Sequence, residues 1–280
     1  MPLLSGALAI TLCGSVFLST LASARTDDEH HPRQDQTRSK AAPVAGEKVF
    51  DIPIGDLTQR VLYAAAPRAR ATVVMFPGGA GKVGLERSGD VRHDDNFVVR
   101  TRSEWVALGY AVLIPDTIAD ANLRGVRSSP AYAALVQALI DFAHSQASAP
   151  VFLLGTSQGS IAAMNGAAHA RPGSISGVVL TESVSRLGHS GETVFSAEPQ
   201  DVRVPALVVA NQDDACDVAP PQYAPRIAAA MTHSRNVRVL SVTGGINRSV
   251  EPCGSLTPHG YYGIEVTVIS RIDRWMRAHL

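Results

Sequence analysis

Aromatic side chains are scarce in this sequence: seven Phe, six Tyr and two Trp make up 5% of the chain. That is too few for an extended sugar-binding platform. Net charge is absent as well. Twenty-five basic residues meet 25 acidic ones, so no long-range field favours a nucleic acid or an anionic membrane surface. There is no solenoid repeat and no low-complexity linker in the interior of the sequence. Cysteine is rare, with three in 280 residues. What remains is an ordinary globular composition, 45% hydrophobic, enough for one sizeable α/β core.

The N-terminus carries the longest apolar run. Leu3 to Leu21 is apolar and small, and Ala22-Ser23-Ala24 offers an A-x-A-like cleavage site before a charged stretch. The pattern predicts a signal peptide over 1–24, although no Lys or Arg precedes the run. The alternative is an uncleaved anchor, since the run is long enough to span a bilayer. Leu12 before Cys13 argues against a lipoprotein anchor. Residues 25–46 read as a flexible leader; His30 and His31 lie in it as solvated side chains, with no metal expected. The mature domain is then 47–280, exported to periplasm or medium and with no membrane contact after cleavage. Cutting after Ala24 leaves Cys216 and Cys253. An even count in an exported chain predicts a disulfide, worth roughly 4 kcal/mol for a loop of this size.

Hydrophobic patterning predicts strands and helices in alternation. Val49–Ile54 and Arg60–Ala65 read as edge strands, with buried strands at 71–76, 111–114 and 151–154 and further strands at 177–180, 206–209 and 237–242. Helices are expected over 97–108, 130–147, 161–170, 221–233 and 261–278. That order predicts a mostly parallel sheet covered on both faces. The segment 181–205 is too short and too polar for a large lid domain.

One run dominates the middle of the chain. Val151-Phe-Leu-Leu reads as a strand, Gly155-Thr-Ser-Gln-Gly159 matches G-x-S-x-G, and a helix follows. In that context Ser157 sits on a strained turn with its hydroxyl projecting from the sheet edge; the alternative is a helix-capping serine. A serine hydroxyl needs a base, and the base needs an orienting group. In the order Ser, acid, His, the base falls to His259, between the last strand and the last helix. His189 is the rival, while His169 and His233 belong to helices. Asp213, Asp214 and Asp217 follow the strand at 206–209. Asp214 is the preferred acid and Glu182 the reserve. A Cys216–Cys253 bridge would tie the acid loop to the histidine loop. For the oxyanion, the backbone N–H groups of Gln158 and Gly79 are the candidates.

Gly79-Ala-Gly-Lys-Val-Gly84 also matches G-x-G-x-x-G after a strand. No apolar helical stripe follows it, so a dinucleotide site is not expected. Val83 also stands where a phosphate-binding loop needs Ser or Thr. His93-Asp94-Asp95 reads as a polar loop, and neither a metal nor another cofactor is expected.

Together these segments resemble the α/β-hydrolase superfamily, from about Val49 to the C-terminus. The resemblance rests on Phe76-Pro-Gly-Gly-Ala80, Gly155-Thr-Ser-Gln-Gly159, the Asp214-x-Cys216 loop and His259-Gly260. Asn96-Phe-Val-Val-Arg100, Asp116 after a strand, and the paired cysteines are similar to a group of exported bacterial serine hydrolases. Pro77 departs from the many relatives that carry His before the oxyanion glycines. The resemblance implies an α/β-hydrolase fold and a serine hydrolase cleaving a small carboxylic ester through an acyl-enzyme. An amide, peptide or thioester substrate on the same residues is the alternative, as is a non-catalytic binder on that scaffold. The loops 83–95, 118–129 and 183–200, which would shape the pocket, carry no recognisable substrate code.

Overall fold

The computed structural model describes residue 44 and residues 46–280. The predicted signal peptide and most of the predicted leader, with Cys13, His30 and His31, lie outside the described residues. From Lys48 the chain lays down strands β1 (Lys48–Ile54), β2 (Leu57–Ala65) and β3 (Thr72–Phe76), then short helices α1 (Phe97–Arg100) and α2 (Arg102–Ala107). Strand β4 (Ala111–Pro115), helix α3 (Pro130–Gln146), strand β5 (Val151–Thr156) and helix α4 (Gln158–His169) follow. The second half runs through β6 (Gly177–Thr181), β7 (Ala206–Asn211), α5 (Ala224–Ala230), β8 (Val237–Val242) and α6 (Glu265–Arg277).

All eight strands join one sheet in the order β1-β2-β4-β3-β5-β6-β7-β8. β2 is antiparallel to both β1 and β4, and the remaining neighbours are parallel. Strands β3 to β7 are buried along their whole lengths. Helices cover both faces, so these strands are built almost entirely from apolar or small side chains. On one face Val136, Leu139, Ile161, Met164 and Ile227 from α3, α4 and α5 pack on Val74, Leu153, Val178 and Val208. On the other, Phe97, Trp105, Val268 and Ile272 from α1, α2 and α6 cover Val73, Met75, Leu154 and Val209. Each fully buried aliphatic or aromatic side chain contributes about 1.5–3 kcal/mol of transfer free energy.

Four boundaries differ from the sequence reading. β2 is not an edge strand, because it pairs on both sides. The helix expected over 97–108 breaks at Thr101, whose hydroxyl donates to the Phe97 carbonyl at 2.7 Å and bends the chain. The last helix begins at Glu265 because Tyr261 (φ 56°) and Gly263 (φ 87°) are left-handed, making a turn where a helix was expected. The helix expected over 221–233 is a 3₁₀ turn, Pro221–Tyr223, followed by the shorter α5.

Register fixes the site. Phe76 pairs with Gly155, Thr156 with Thr181, and Thr181 with Val209. The carboxyl ends of β3, β5, β6 and β7 therefore finish along one rim, where α/β sheets place their ligands.

Candidate active site

Ser157 stands between β5 and α4 with φ 53° and ψ −123°, backbone that costs a non-glycine residue about 1–3 kcal/mol. Its N–H donates to the Thr181 carbonyl at 2.9 Å, and its side chain does not cap the helix. A Cβ on Gly155 would overlap the Gly159 backbone, and one on Gly159 would overlap the Phe76 carbonyl. Both glycines are thus set by contact: strand, helix and the end of β3 meet at van der Waals distance around the serine.

Beyond β3, residues 77–80 form an open loop beside that turn. A Cβ on Gly78 would sit 3.1 Å from Ser157 Cβ. Gly79 is left-handed at φ 59°. The loop's shape is held from behind. Asp116 accepts the N–H groups of Val83 at 2.8 Å and Leu85 at 2.6 Å. Arg127 is buried, so its guanidinium is pushed below the usual arginine value, and it donates to the Pro77 carbonyl at 3.3 Å.

Asp214 and His259 lie opposite. Their side chains are 0% and 3% exposed, and His259 Nδ1 is 2.7 Å from Asp214 Oδ2. Nδ1 must donate to the carboxylate, which leaves Nε2 as the acceptor. Nε2 has no protein partner among the described residues. Asp214 Oδ1 accepts the Cys216 N–H at 2.8 Å. Cys216 is bridged to Cys253 with Cα atoms 4.6 Å apart, so the two loops are covalently joined. Asn211 Nδ2 adds a second tie, donating to the Gly244 carbonyl at 2.8 Å and the Pro258 carbonyl at 3.0 Å. Arg100 adds a third. Its guanidinium donates to the carbonyls of Gly260 and, at 3.2 Å, Ser255, and pairs with Glu265 at 3.0 Å.

Ser157 and His259 line one cleft of about 220 Å³, together with Gly78, Gly79, Lys82 and Asn96. The Ser157 hydroxyl shares this space with the imidazole without hydrogen-bonding it. A second cleft of about 240 Å³ borders Ser157 on the other side, lined by Gly79, Gln158, Arg124, His189 and Val218. His189 is exposed there. His169 faces Glu198 at 3.0 Å and His233 faces Asp201 at 3.8 Å, and neither lines the two clefts that Ser157 borders. Asp213 is engaged by the Gly244 N–H at 2.6 Å, and Asp217 is exposed. Glu182 is buried just past β6 at φ 41°. One oxygen accepts the Asn211 N–H at 2.8 Å. Burial first, then the neighbouring Asp214 carboxylate, pushes the Glu182 carboxyl well above the usual range.

Among the described residues, Glu182, Asp214 and His259 form a buried set of metal-type ligand atoms, all within 4.8 Å of one another. Asp214 and His259 spend their facing atoms on each other. The G-x-G-x-x-G run leads into an isolated bridge between Leu85 and Val91, not a helix, so it makes no dinucleotide cradle. No helix among the described residues is long and apolar enough to cross a membrane.

No family model and no curated protein matches the sequence. Solved structures do match. Est1E from Butyrivibrio proteoclasticus is 14% identical at TM-score 0.59, covering 83% of this chain and 98% of its own. Dienelactone hydrolase from Anabaena variabilis is 16% identical at TM-score 0.59, over 84% and 98%. A soluble variant of monoglyceride lipase from Saccharomyces cerevisiae is 10% identical at TM-score 0.61, over 86% and 97%. The fold is that of the α/β-hydrolases. In this chain Ser157 follows β5, Glu182 follows β6 and Asp214 follows β7. Sequence reading gave no role to Asn211, Arg127 or Tyr261. Arg100 and Asp116 entered only as parts of a resembling pattern. Their one available signal was a polar residue at a strand end or on an otherwise apolar helical turn.

Proposed function

We propose that this protein is a serine hydrolase of small carboxylic esters. The carrying observation is the buried 2.7 Å His259–Asp214 pair, whose free Nε2 belongs to a side chain lining the same cleft as the strained Ser157. Ser157 Oγ attacks the ester carbonyl while His259 Nε2 takes its proton. Asp214 holds the Nδ1–H and stabilises the imidazolium. The oxyanion is received by the N–H groups of Gly79 and Gln158. Gly79 N–H has no partner among the described residues, and Gln158 opens α4, where an N–H has no intrahelical acceptor. His259 then protonates the departing alkoxide, leaving an acyl-serine that water cleaves by the same steps in reverse roles.

The leaving group must lie where His259 can protonate it, in the cleft of about 220 Å³. The acyl group then takes the cleft of about 240 Å³ beside Gly79 and Gln158. Both spaces are small, which supports short acyl chains. The names of the structural neighbours, among them a dienelactone hydrolase and a monoglyceride lipase, support ester hydrolysis. The disulfide supports an oxidising, exported location.

Labelling with a fluorophosphonate probe tests the reading. Folded, oxidised protein should be modified at Ser157 and should hydrolyse short nitrophenyl esters faster than matched anilides. An unlabelled Ser157, or a preference for the anilides, overturns it.

A further inference from the structure

Glu182 sits in direct continuation of the Asp214–His259 pair, and nothing above gives it a task. It occupies the end of β6 in left-handed backbone, φ 41°, a conformation that a glutamate holds only where its surroundings impose it. Its carboxyl has unequal surroundings. Oε1 accepts the Asn211 N–H at 2.8 Å, while Oε2 is buried without a donor among the described residues. The groups facing it are Asp214 from the loop after β7, and His259 and Tyr261 from the turn before α6. The Tyr261 hydroxyl lies beside both the Glu182 carboxyl and the Val209 carbonyl, the latter at 3.2 Å, and its single proton can serve only one of them at a time. Its own ionisation is pushed well up by burial and by Glu182, so it stays a neutral phenol. Asp214, by contrast, receives two donors, the Cys216 N–H at 2.8 Å and His259 Nδ1 at 2.7 Å.

Two carboxylates at this distance, sealed from water, repel each other strongly. One proton removes the conflict, and the donor count decides where it goes. It belongs on Glu182, whose Oε2 lacks a donor among the described residues and whose carboxyl lies within 4.8 Å of Asp214. We propose that Glu182 is a neutral carboxylic acid that donates its proton as a hydrogen bond to Asp214, a positioning residue behind the acid–histidine pair. The proposal rests on the triad reading for its catalytic consequence, but not for its chemistry. A neutral Glu182 gives Asp214 a third hydrogen bond. It also keeps a second negative charge away from His259, where it would favour the imidazolium and take away the base.

The direction of pH dependence follows. A carboxyl held above its usual value of 4.5 contributes its full stability below that pH. The contribution is lost as pH rises toward the point where the folded protein finally releases the proton.

The test combines infrared spectroscopy with Glu182→Gln and Glu182→Ala. The wild-type protein at neutral pH should show the carbonyl stretch of a protonated carboxylic acid. That band should move on labelling with carbon-13 glutamate and vanish in Glu182→Gln. Glu182→Ala should lower kcat about tenfold or more, a transition-state loss of the size one lost hydrogen bond to a charged group explains. Glu182→Gln, whose amide can still donate, should restore most of that loss and leave the acid limb of kcat/KM in place. It should also remove the fall in unfolding stability above pH 4.5 described above. Absence of the band overturns the proposal. So does an acid limb that moves down by about one pH unit in Glu182→Gln, the mark of removing an anion beside the base. Should the variants not fold, the isotope-edited wild-type band decides alone. A Ser157→Ala protein that still turns over esters would sink the triad reading and leave the shared proton untouched.

Discussion

The Ser157 turn and the Asp214–His259 cluster meet in one cleft, but the chain builds them in opposite ways. The turn is a single stretch, Val151 to His169. Two glycines, a buried strand and a helix hold Ser157 through backbone contacts between near neighbours and the adjacent end of β3. The cluster draws on Arg100, Glu182, Asn211, Asp214, Cys216, Cys253, His259 and Tyr261, spread over more than half of the sequence. Side-chain hydrogen bonds, one disulfide and one partly buried guanidinium hold it together. The turn is defended by sterics, where any added atom collides. The cluster is defended by a polar network, where each missing partner strands another.

The comparison predicts how each region should fail. The largest effect is chemical: Ser157→Ala should remove about 10⁶ of kcat, as loss of a triad serine can, while leaving the fold and its melting temperature intact. A rate near that of the parent would show that the turn carries no nucleophile. Asp214→Asn should cost about 10⁴ in kcat by presenting His259 in the wrong tautomer. Unlike the serine change, it should also lower thermal stability, because it disturbs the network. A silent melting curve would mean that the cluster is less connected than the hydrogen bonds indicate.

Reduction of the disulfide should destabilise the protein by roughly 4 kcal/mol in the entropy model and lower esterase activity in parallel. Cys253 is exposed and lines both clefts, so a mild reductant can reach it. Stability and activity measured across a reductant titration should fall together; two separate midpoints would uncouple the bridge from the site. Arg100→Met should cost about 3 kcal/mol, the low end for breaking a buried ion pair, because Glu265 keeps some solvent contact. It should raise the crystallographic mobility of residues 255–260 and leave the Ser157 turn unchanged. The smallest and most specific effect is the pH slope. Unfolding stability of the wild type should decline above pH 4.5 through Glu182, and that component should be missing in Glu182→Gln.

How much of this the sequence showed differs between the regions for the same reason. The strained turn at Ser157 was legible because its sequence signature lies within five residues, although one of the contacts that require it, Gly159 against Phe76, is remote in the chain. His259 and Asp214 were legible through chain order and through cysteines that turned out to be bridged. Asp214 and Glu182, however, look alike as acids after strands, and only the fold shows that His259 bonds one of them and not the other. The helix limits at 97–108 and 261–278 were misread because Thr101 turns its hydroxyl back onto the Phe97 carbonyl, and because Tyr261 takes a left-handed conformation with its hydroxyl tied to the distant Val209 carbonyl. Arg100 illustrates the same limit: on paper it is a basic residue ending an apolar helical turn, and in space it is the anchor of a loop 155 residues away.

The sequence alone determined the alternation of strands and helices, the place of the Ser157 turn and the order of the three candidate residues, since each depends on patterning over a short span. The tertiary structure decided which acid faces the imidazole, which side chains brace the two loops, and that a second carboxyl lies buried beside the first. Those outcomes depend on burial and on the register of strands that are remote in the chain, and neither quantity has a local signature.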